Sequence, residues 1–398
     1  MKDTNKYLQG KDGHPLKVAI VAELLVKMGG AERVVKKLSE MYPDAPVFTL
    51  LYDEKACGKE FPAGRVHTSF LQKLPRFIRK RYRWLLTWMP LAVEGMDLSD
   101  YDVVISSSSA FAHGVLTDTE CLHICYCHSP MRFAWDYTHE YLADKWFNPL
   151  KGWLARRALK KIRVWDKIAS DRPDVYIANS RHVQERISKY YRLNSKVIYP
   201  PVAVENFPLS REDEGYYLII STLAAYKKID LAVNLFNKTG KKLVIIGDGP
   251  EKEFLESIAG KNIEIKGRLS DEECKKYYAG CRAFVFPSEE DFGITMIEAM
   301  SCGKPVLAYK AGGAVEFIKP GVNGEFFTEQ TLSSMEDALA KMILNFRKYD
   351  CGKIRAEALH FSEERFEKDF HDLLKNSLEA HAKGTTIAPH NAFTDVPL

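Results

Sequence analysis

Residues 283–303 read Ala283-Phe-Val-Phe-Pro-Ser-Glu-Glu-Asp-Phe-Gly-Ile-Thr-Met-Ile-Glu-Ala-Met-Ser-Cys-Gly303. An apolar strand at 283–287 feeds an acidic turn, and a helix leaves it. Two carboxylates, Glu290 and Glu298, stand in the turn and the helix. The first lies at the strand's C-terminal mouth and the second about two turns into the helix. A helix start offers free N–H groups and the positive end of its dipole, which suits a phosphate. Carboxylates on either side would repel that anion unless they serve hydroxyl groups, and those of a ribose and a sugar fit. Phosphate and sugar together suggest a nucleotide-sugar. The plainer alternative is a solvated acidic turn at Glu289-Glu290-Asp291. Glu298 argues against it, because it stands in the otherwise apolar Ile297-Glu298-Ala299-Met300 and would be costly to bury without partners.

Outward from this stretch the same strand, turn and helix repeat. In the first half, strands are expected at 17–22, 103–106, 121–127 and 174–179, with helices at 31–41 and 180–190. Val34, Val35 and Leu38 share one face of the earlier helix. The pair Pro200-Pro201 breaks the rhythm, and strands resume at 217–221, 243–247, 263–266, 283–287 and 305–308. The fold class is therefore α/β, with two doubly wound, Rossmann-like domains facing a cleft and ligands at the C-terminal strand ends. The domains are expected at 1–200 and 201–361. A helix at 362–384 and a loose tail at 385–398 follow.

The 398 residues exceed one ordinary core, and 46% hydrophobic with 28% charged content describes a globular chain. The net charge of +4 is mild, but residues 73–83 hold six Lys or Arg and no acid, and 151–167 hold seven against Asp166. No apolar run reaches membrane-span length, and the N-terminus lacks the apolar core of a signal peptide, so a cytoplasmic protein is expected. The arrangement Cys121-x3-Cys125-x-Cys127-His128 matches no zinc spacing, and these cysteines are expected to be reduced core thiols. No metal is implied.

Three further motifs stand at expected strand ends. Met28-Gly29-Gly30-Ala31-Glu32 could bring backbone N–H groups to a ligand or simply make a tight turn, and it lacks the dinucleotide fingerprint. His128, with Arg132 and Asp136 close behind it, follows an apolar strand directly, where a neutral imidazole can orient a sugar hydroxyl. In Ser221-Thr222-Leu223-Ala224-Ala225-Tyr226-Lys227-Lys228, two lysines precede a helix whose dipole they oppose. That mismatch favours an anionic partner such as a diphosphate.

Together these residues resemble the retaining glycosyltransferases of family 4, which have the GT-B fold. The Glu-x7-Glu spacing of Glu290 and Glu298 carries the resemblance most specifically, and Gly312-Gly313 resembles the glycine pair that follows it. The stretches 128–136 and 226–230 resemble bacterial mannosyltransferases of O-antigen, capsule and exopolysaccharide assembly. The resemblance implies an acceptor-side first domain, a donor-binding second domain, and a C-terminal helix returning to the first. It makes Glu290, Lys227 and His128 catalytic: Glu290 on the transferred sugar, Lys227 on the leaving diphosphate, His128 beside the reacting centre. It gives Glu298 the ribose hydroxyls. Gly29, Gly30, Thr222, Lys228, Arg268, Phe292, Gly293 and Ile294 would contribute to donor binding, and Arg132 and Asp136 would lie on the acceptor side. It implies no cofactor and no metal, with the nucleotide-sugar as substrate and GDP-mannose favoured.

In one position the chain departs from that pattern. Thr222 stands where the family usually has an arginine gripping the diphosphate, and threonine carries neither charge nor fork. Lys228 or Arg268 is expected to compensate. Otherwise the chain is a catalytically weakened nucleotide-sugar-binding partner of a polysaccharide assembly complex.

Residues 70–89 interleave cations with Phe77, Tyr82, Trp84 and Trp88. That composition suits the interface of an anionic bilayer, where a lipid-linked glycan acceptor would be delivered. A surface helix with its aromatics in the core is the plainer reading. Nucleic acid is not expected, because no recognition motif accompanies the charge. The expected location is the inner face of the cytoplasmic membrane, peripherally bound.

Overall fold

Short, continuous apolar runs between turn residues build strands buried on both faces, and such strands belong in parallel sheets covered by helices. The computed structural model describes residues 15–136, 138 and 149–383 and shows two such sheets. The expected tail at 385–398 and the N-terminal residues lie outside the described residues. The chain divides into two compact units: the residues up to Tyr199 with those from Glu367 on, and Pro200–Phe366.

The first unit contains seven strands: β1 Val18–Leu25, β2 Val47–Tyr52, β3 Val66–Thr68, β4 Val103–Ser108, β5 Leu122–Cys127, β6 Val175–Ala178 and β7 Lys196–Val197. Their order is β3-β2-β1-β4-β5-β6-β7, and every pairing is parallel. The second unit has β8 Tyr216–Ile220, β9 Lys242–Ile246, β10 Ile263–Lys266, β11 Ala283–Phe286, β12 Val306–Tyr309 and β13 Gly324–Phe327. They run β10-β9-β8-β11-β12-β13, again all parallel. In each sheet the winding direction reverses once, between β1 and β4 and between β8 and β11. Ligands of doubly wound sheets bind at the carboxyl ends of the strands flanking such a reversal.

From Glu367 the helix Glu363–Ala382 belongs to the first unit. Its Phe370 meets Tyr42 edge-on at 6.5 Å, and its Glu367 pairs with Lys37 at 2.5 Å. Cys121, Cys125 and Cys127 are buried and outside any disulfide, and burial pushes the Cys121 thiol up to about 12.

No helix among the described residues is long and apolar enough to cross a membrane. Residues 70–94 form short pieces, Phe70–Lys73, Arg76–Arg79, Tyr82–Leu85 and Met89–Glu94, and no continuous surface helix. Pro75 precedes the second piece, where a proline is tolerated only at a helix start. Leu71, Leu85 and Met89 fill the core, but Phe77, Trp84 and Trp88 are 63%, 69% and 56% exposed. Three of the four interleaved aromatics are therefore on the surface, against the plainer reading, while Tyr82 is partly buried and packs against the core.

Candidate active site

At the reversal in the second unit, β8 ends in the turn that carries Lys227, and β11 ends in the turn that carries Glu290. The two side chains form a direct ion pair. Lys227 closes the short 3-10 helix Ala225–Lys227, and its ammonium lies 5.0 Å from the centre of the Tyr226 ring. Lys228 follows in the left-handed conformation, φ 52°, and starts the helix Ile229–Thr239. A β-carbon is strained there, by about 1 kcal/mol. The sequence thus keeps a lysine where glycine would fit more easily.

The backbone on the β11 side is fixed from behind. Gly313 donates its N–H to the carbonyl of Glu290 at 2.9 Å, and a β-carbon on Gly313 would sit 2.6 Å from Phe292 Cα. The pair Gly312-Gly313 is the only fit for so close an approach, because Gly312 also takes φ 61°. Phe292 is buried between Phe317 and Phe361, with ring centres 5.5 Å away in both cases. Gly293 adopts φ 92° and leads into the helix Ile294–Ser301 with no side-chain cap. Glu298 lies in that helix, 5% exposed, and accepts a 2.7 Å hydrogen bond from the Tyr278 hydroxyl. Tyr278 is one of the partners that a carboxylate in an apolar helix requires, and the sequence reading did not name it.

The remaining donor candidates spread more widely. Thr222 and Lys228 are exposed beside Lys227 in the β8 turn. Arg268 is exposed beyond β10, two strands from β8 and so about 10 Å along the sheet. Of the two cations expected to offset Thr222, Lys228 is thus the nearer in the fold.

The first unit has its own reversal, and His128 stands beside it. The His128 N–H donates to the Ser108 carbonyl at 2.7 Å, and its Nε2 lies 2.8 Å from Ser107 Oγ. Burial lowers this imidazole to about 4, so it is neutral near pH 7. Ser106 and Ser108 hold histidines in the same way: Ser106 Oγ meets His123 Nε2 at 2.8 Å, and Ser108 Oγ meets His113 Nδ1 at 3.1 Å. Three successive serines therefore occupy a buried strand, each bonded to a histidine, as buried polar groups require. β4 runs through all of them, past the expected end at residue 106.

Gly29 and Gly30 begin the helix Gly30–Met41, with Gly29 extended and making no side-chain cap. Arg132 opens the short helix Arg132–Trp135 behind His128. Asp136 pairs with Arg186 through one oxygen and accepts from the Tyr190 hydroxyl through the other. This carboxylate braces the loop after β5 against the helix Arg181–Tyr190. Both of its oxygens are occupied by the protein.

Comparison with known proteins covers most of the chain. A family model described as Glycosyltransferase Family 4 matches residues 28–206, and one described as Glycosyl transferases group 1 matches residues 202–353. A GDP-mannose-dependent alpha-mannosyltransferase of Corynebacterium glutamicum is 33% identical over 127 residues, 32% of this chain and 30% of that protein. The alpha-1,3/1,6-mannosyltransferase ALG2 of Kluyveromyces lactis is 25% identical over 377 residues, 77% of this chain and 71% of that protein. The chain spans about half or less of the length of the first curated relatives it matches. Among solved structures, Anabaena HepE in complex with UDP superposes with a TM-score of 0.65 at 17% identity, covering 90% of this chain and 100% of that one. At that identity the likeness speaks for the fold, which is GT-B.

Proposed function

Because the chain belongs to glycosyltransferase family 4, we propose that it moves a sugar from a nucleotide-sugar to a hydroxyl of a lipid-linked glycan, with retained anomeric configuration. Mannose from GDP-mannose is the favoured donor, since two of the relatives are mannosyltransferases and one of them depends on GDP-mannose. The reading rests above all on Lys227 and Glu290 meeting at the strand reversal of the second unit. The lysine supplies charge for a departing diphosphate without a metal, and the carboxylate beside it accepts sugar hydroxyls. Glu298, one helix further in, takes the ribose. His128 stays neutral and orients a hydroxyl near the reacting carbon. The pathway is bacterial surface polysaccharide synthesis.

The donor reading is tested by thermal shift against GDP-, UDP- and ADP-sugars, with sugar release measured in parallel. At 100 times its dissociation constant the true donor stabilises by about 2.7 kcal/mol. GDP-mannose is expected to give the largest shift together with sugar release. No shift with any donor refutes the reading, and a shift with neither release nor transfer favours the weakened binding partner.

The exposed Phe77, Trp84, Trp88 and Leu91 lie among Arg76, Arg79, Lys80, Arg81 and Arg83. Indole rings insert at the headgroup level while the cations meet anionic lipid. We assign this surface to peripheral docking on the inner face of the cytoplasmic membrane. In flotation with phosphatidylglycerol vesicles, replacing Trp84 and Trp88 together by serine is expected to lower binding about tenfold or more. Equal flotation of the variant would remove this surface from the docking site.

A further inference from the structure

Glu23 is an ionisable residue within the apolar strand β1, at the point where the first sheet reverses. The register pairs Val21 with Ser106 and Ala22 with Ser107, which brings Glu23 level with Ser108. One of its oxygens, Oε1, gathers a full set of donors. It accepts from Ser108 Oγ at 3.2 Å and from the N–H groups of Ser109 at 2.9 Å, Phe111 at 2.7 Å and Ala112 at 3.4 Å. The N–H of Ala110 donates to it as well. All of these bonds fall on Oε1, and Oε2 has no hydrogen-bond partner among the described residues. The residue keeps partial access to solvent.

This is an asymmetric arrangement. A turn of backbone N–H groups holds one end of the carboxylate rigidly, so the other end has a fixed position and direction. Ser108 ties it to the end of β5 through the backbone, because the same serine donates its hydroxyl to Glu23 and its carbonyl accepts the backbone N–H of His128. The uncapped helix start at Gly29-Gly30 follows on the same strand end. A buttressed carboxylate with one oxygen left open suits a neutral, hydroxyl-rich ligand. It suits an anion poorly, since Glu32 stands nearby in the first turn of the helix Gly30–Met41.

We propose that Glu23 is an acceptor-binding residue, whose Oε2 accepts a hydrogen bond from the acceptor sugar hydroxyl that undergoes glycosylation. A hydroxyl that donates its hydrogen to Oε2 is held with its lone pairs turned away from the carboxylate and free to attack. Glu23 thereby sets both the position and the orientation of the nucleophile, and selects glycoside acceptors over charged ones. Burial raises its carboxyl above the usual range while the backbone N–H groups oppose that rise, which agrees with a carboxylate that gains from a hydroxyl partner. The inference rests on the sugar-transfer reading above.

The test uses Glu23→Gln in the full chain. Glutamine keeps a carbonyl oxygen for the backbone N–H groups and puts an amide donor where Oε2 was. Donor binding is followed by thermal shift, donor hydrolysis by sugar release into water, and transfer with a panel of octyl hexosides. Expected are an unchanged donor shift, hydrolysis within about twofold of the wild type, and transfer at least about tenfold lower, chiefly through a higher KM for the glycoside. An unchanged ratio of transfer to hydrolysis overturns the inference. An equal fall in both also overturns it, because the role would then be structural. If the wild type binds and hydrolyses donor but glycosylates no octyl hexoside, the acceptor class is wrong and the inference falls alone. If the wild type binds no donor, the underlying sugar-transfer reading falls instead.

Discussion

Replacing Glu290 with alanine is expected to lower sugar transfer by about 10²–10³-fold while donor affinity changes by less than about tenfold. The asymmetry follows from where the side chain stands. Glu290 pairs with Lys227, so in the proposed reaction it would both meet sugar hydroxyls and hold the ammonium that faces the diphosphate as the bond breaks. Its loss leaves the ground-state contacts of Glu298, deep in its helix with Tyr278, intact. Lys227→Ala is expected to cost a similar factor. Because the two groups act as a unit, the double variant should be little worse than the poorer single one. Glu290→Gln keeps the hydrogen-bonding capacity without the charge and should fall between wild type and alanine. Initial rates at saturating donor decide the matter, with circular dichroism to show that the fold is kept. Full activity in Glu290→Ala would sink the role assigned to it.

This site was legible in the sequence because its parts lie close together along the chain. β11, the turn and the helix carrying Glu298 form one contiguous stretch, while the Lys227 turn and Tyr278 come from elsewhere. Even the glycines behind Glu290 follow within about 25 residues, and their backbone contact has a plain sequence signature in Gly312-Gly313. Glu23 was missed for the opposite reason. Its donors are 85 to 89 residues away, on β4 and the loop beyond it. The signal was nevertheless of the kind that singled out Glu298: a carboxylate within an apolar run needs partners. Ending the first strand at residue 22 placed Glu23 outside that run, whereas β1 continues to Leu25. Ser107 and Ser108 misled in a related way, since the expected strand stopped at residue 106. Serines read as a loop from composition, but here three histidines satisfy the hydroxyls of Ser106, Ser107 and Ser108 and the strand goes on. β3 and β7, of three and two residues, are too short to show any period.

Those histidines make the first unit sensitive to acid, and the sensitivity can be isolated residue by residue. His123 is fully buried against Ser106, and burial lowers its imidazole to about 3, with His113 and Arg172 adding to the effect through space. A histidine depressed in the fold contributes stability that is fully present above its unfolded value near 6.5 and lost as pH falls toward the folded value. Between pH 7.5 and pH 5 this one group should remove about 2 kcal/mol, and His123→Asn should lose that much less over the same interval. Asp166 works in the other direction. It is wholly buried, accepts from Trp135 Nε1 at 2.7 Å and from the Tyr191 hydroxyl at 3.0 Å, and faces His113 Nε2 at 3.3 Å. Burial raises its carboxyl to about 7, so the stability it contributes is present in acid and lost as pH rises through about 7. Asp166→Asn is therefore expected to make the chain lose more stability on acidification than the wild type, opposite in sign to His123→Asn. Tryptophan fluorescence during guanidinium unfolding reads the first unit alone, because all six tryptophans precede Tyr199. Shifts of the same sign in both variants would contradict the neutral histidine and protonated carboxyl on which the prediction rests.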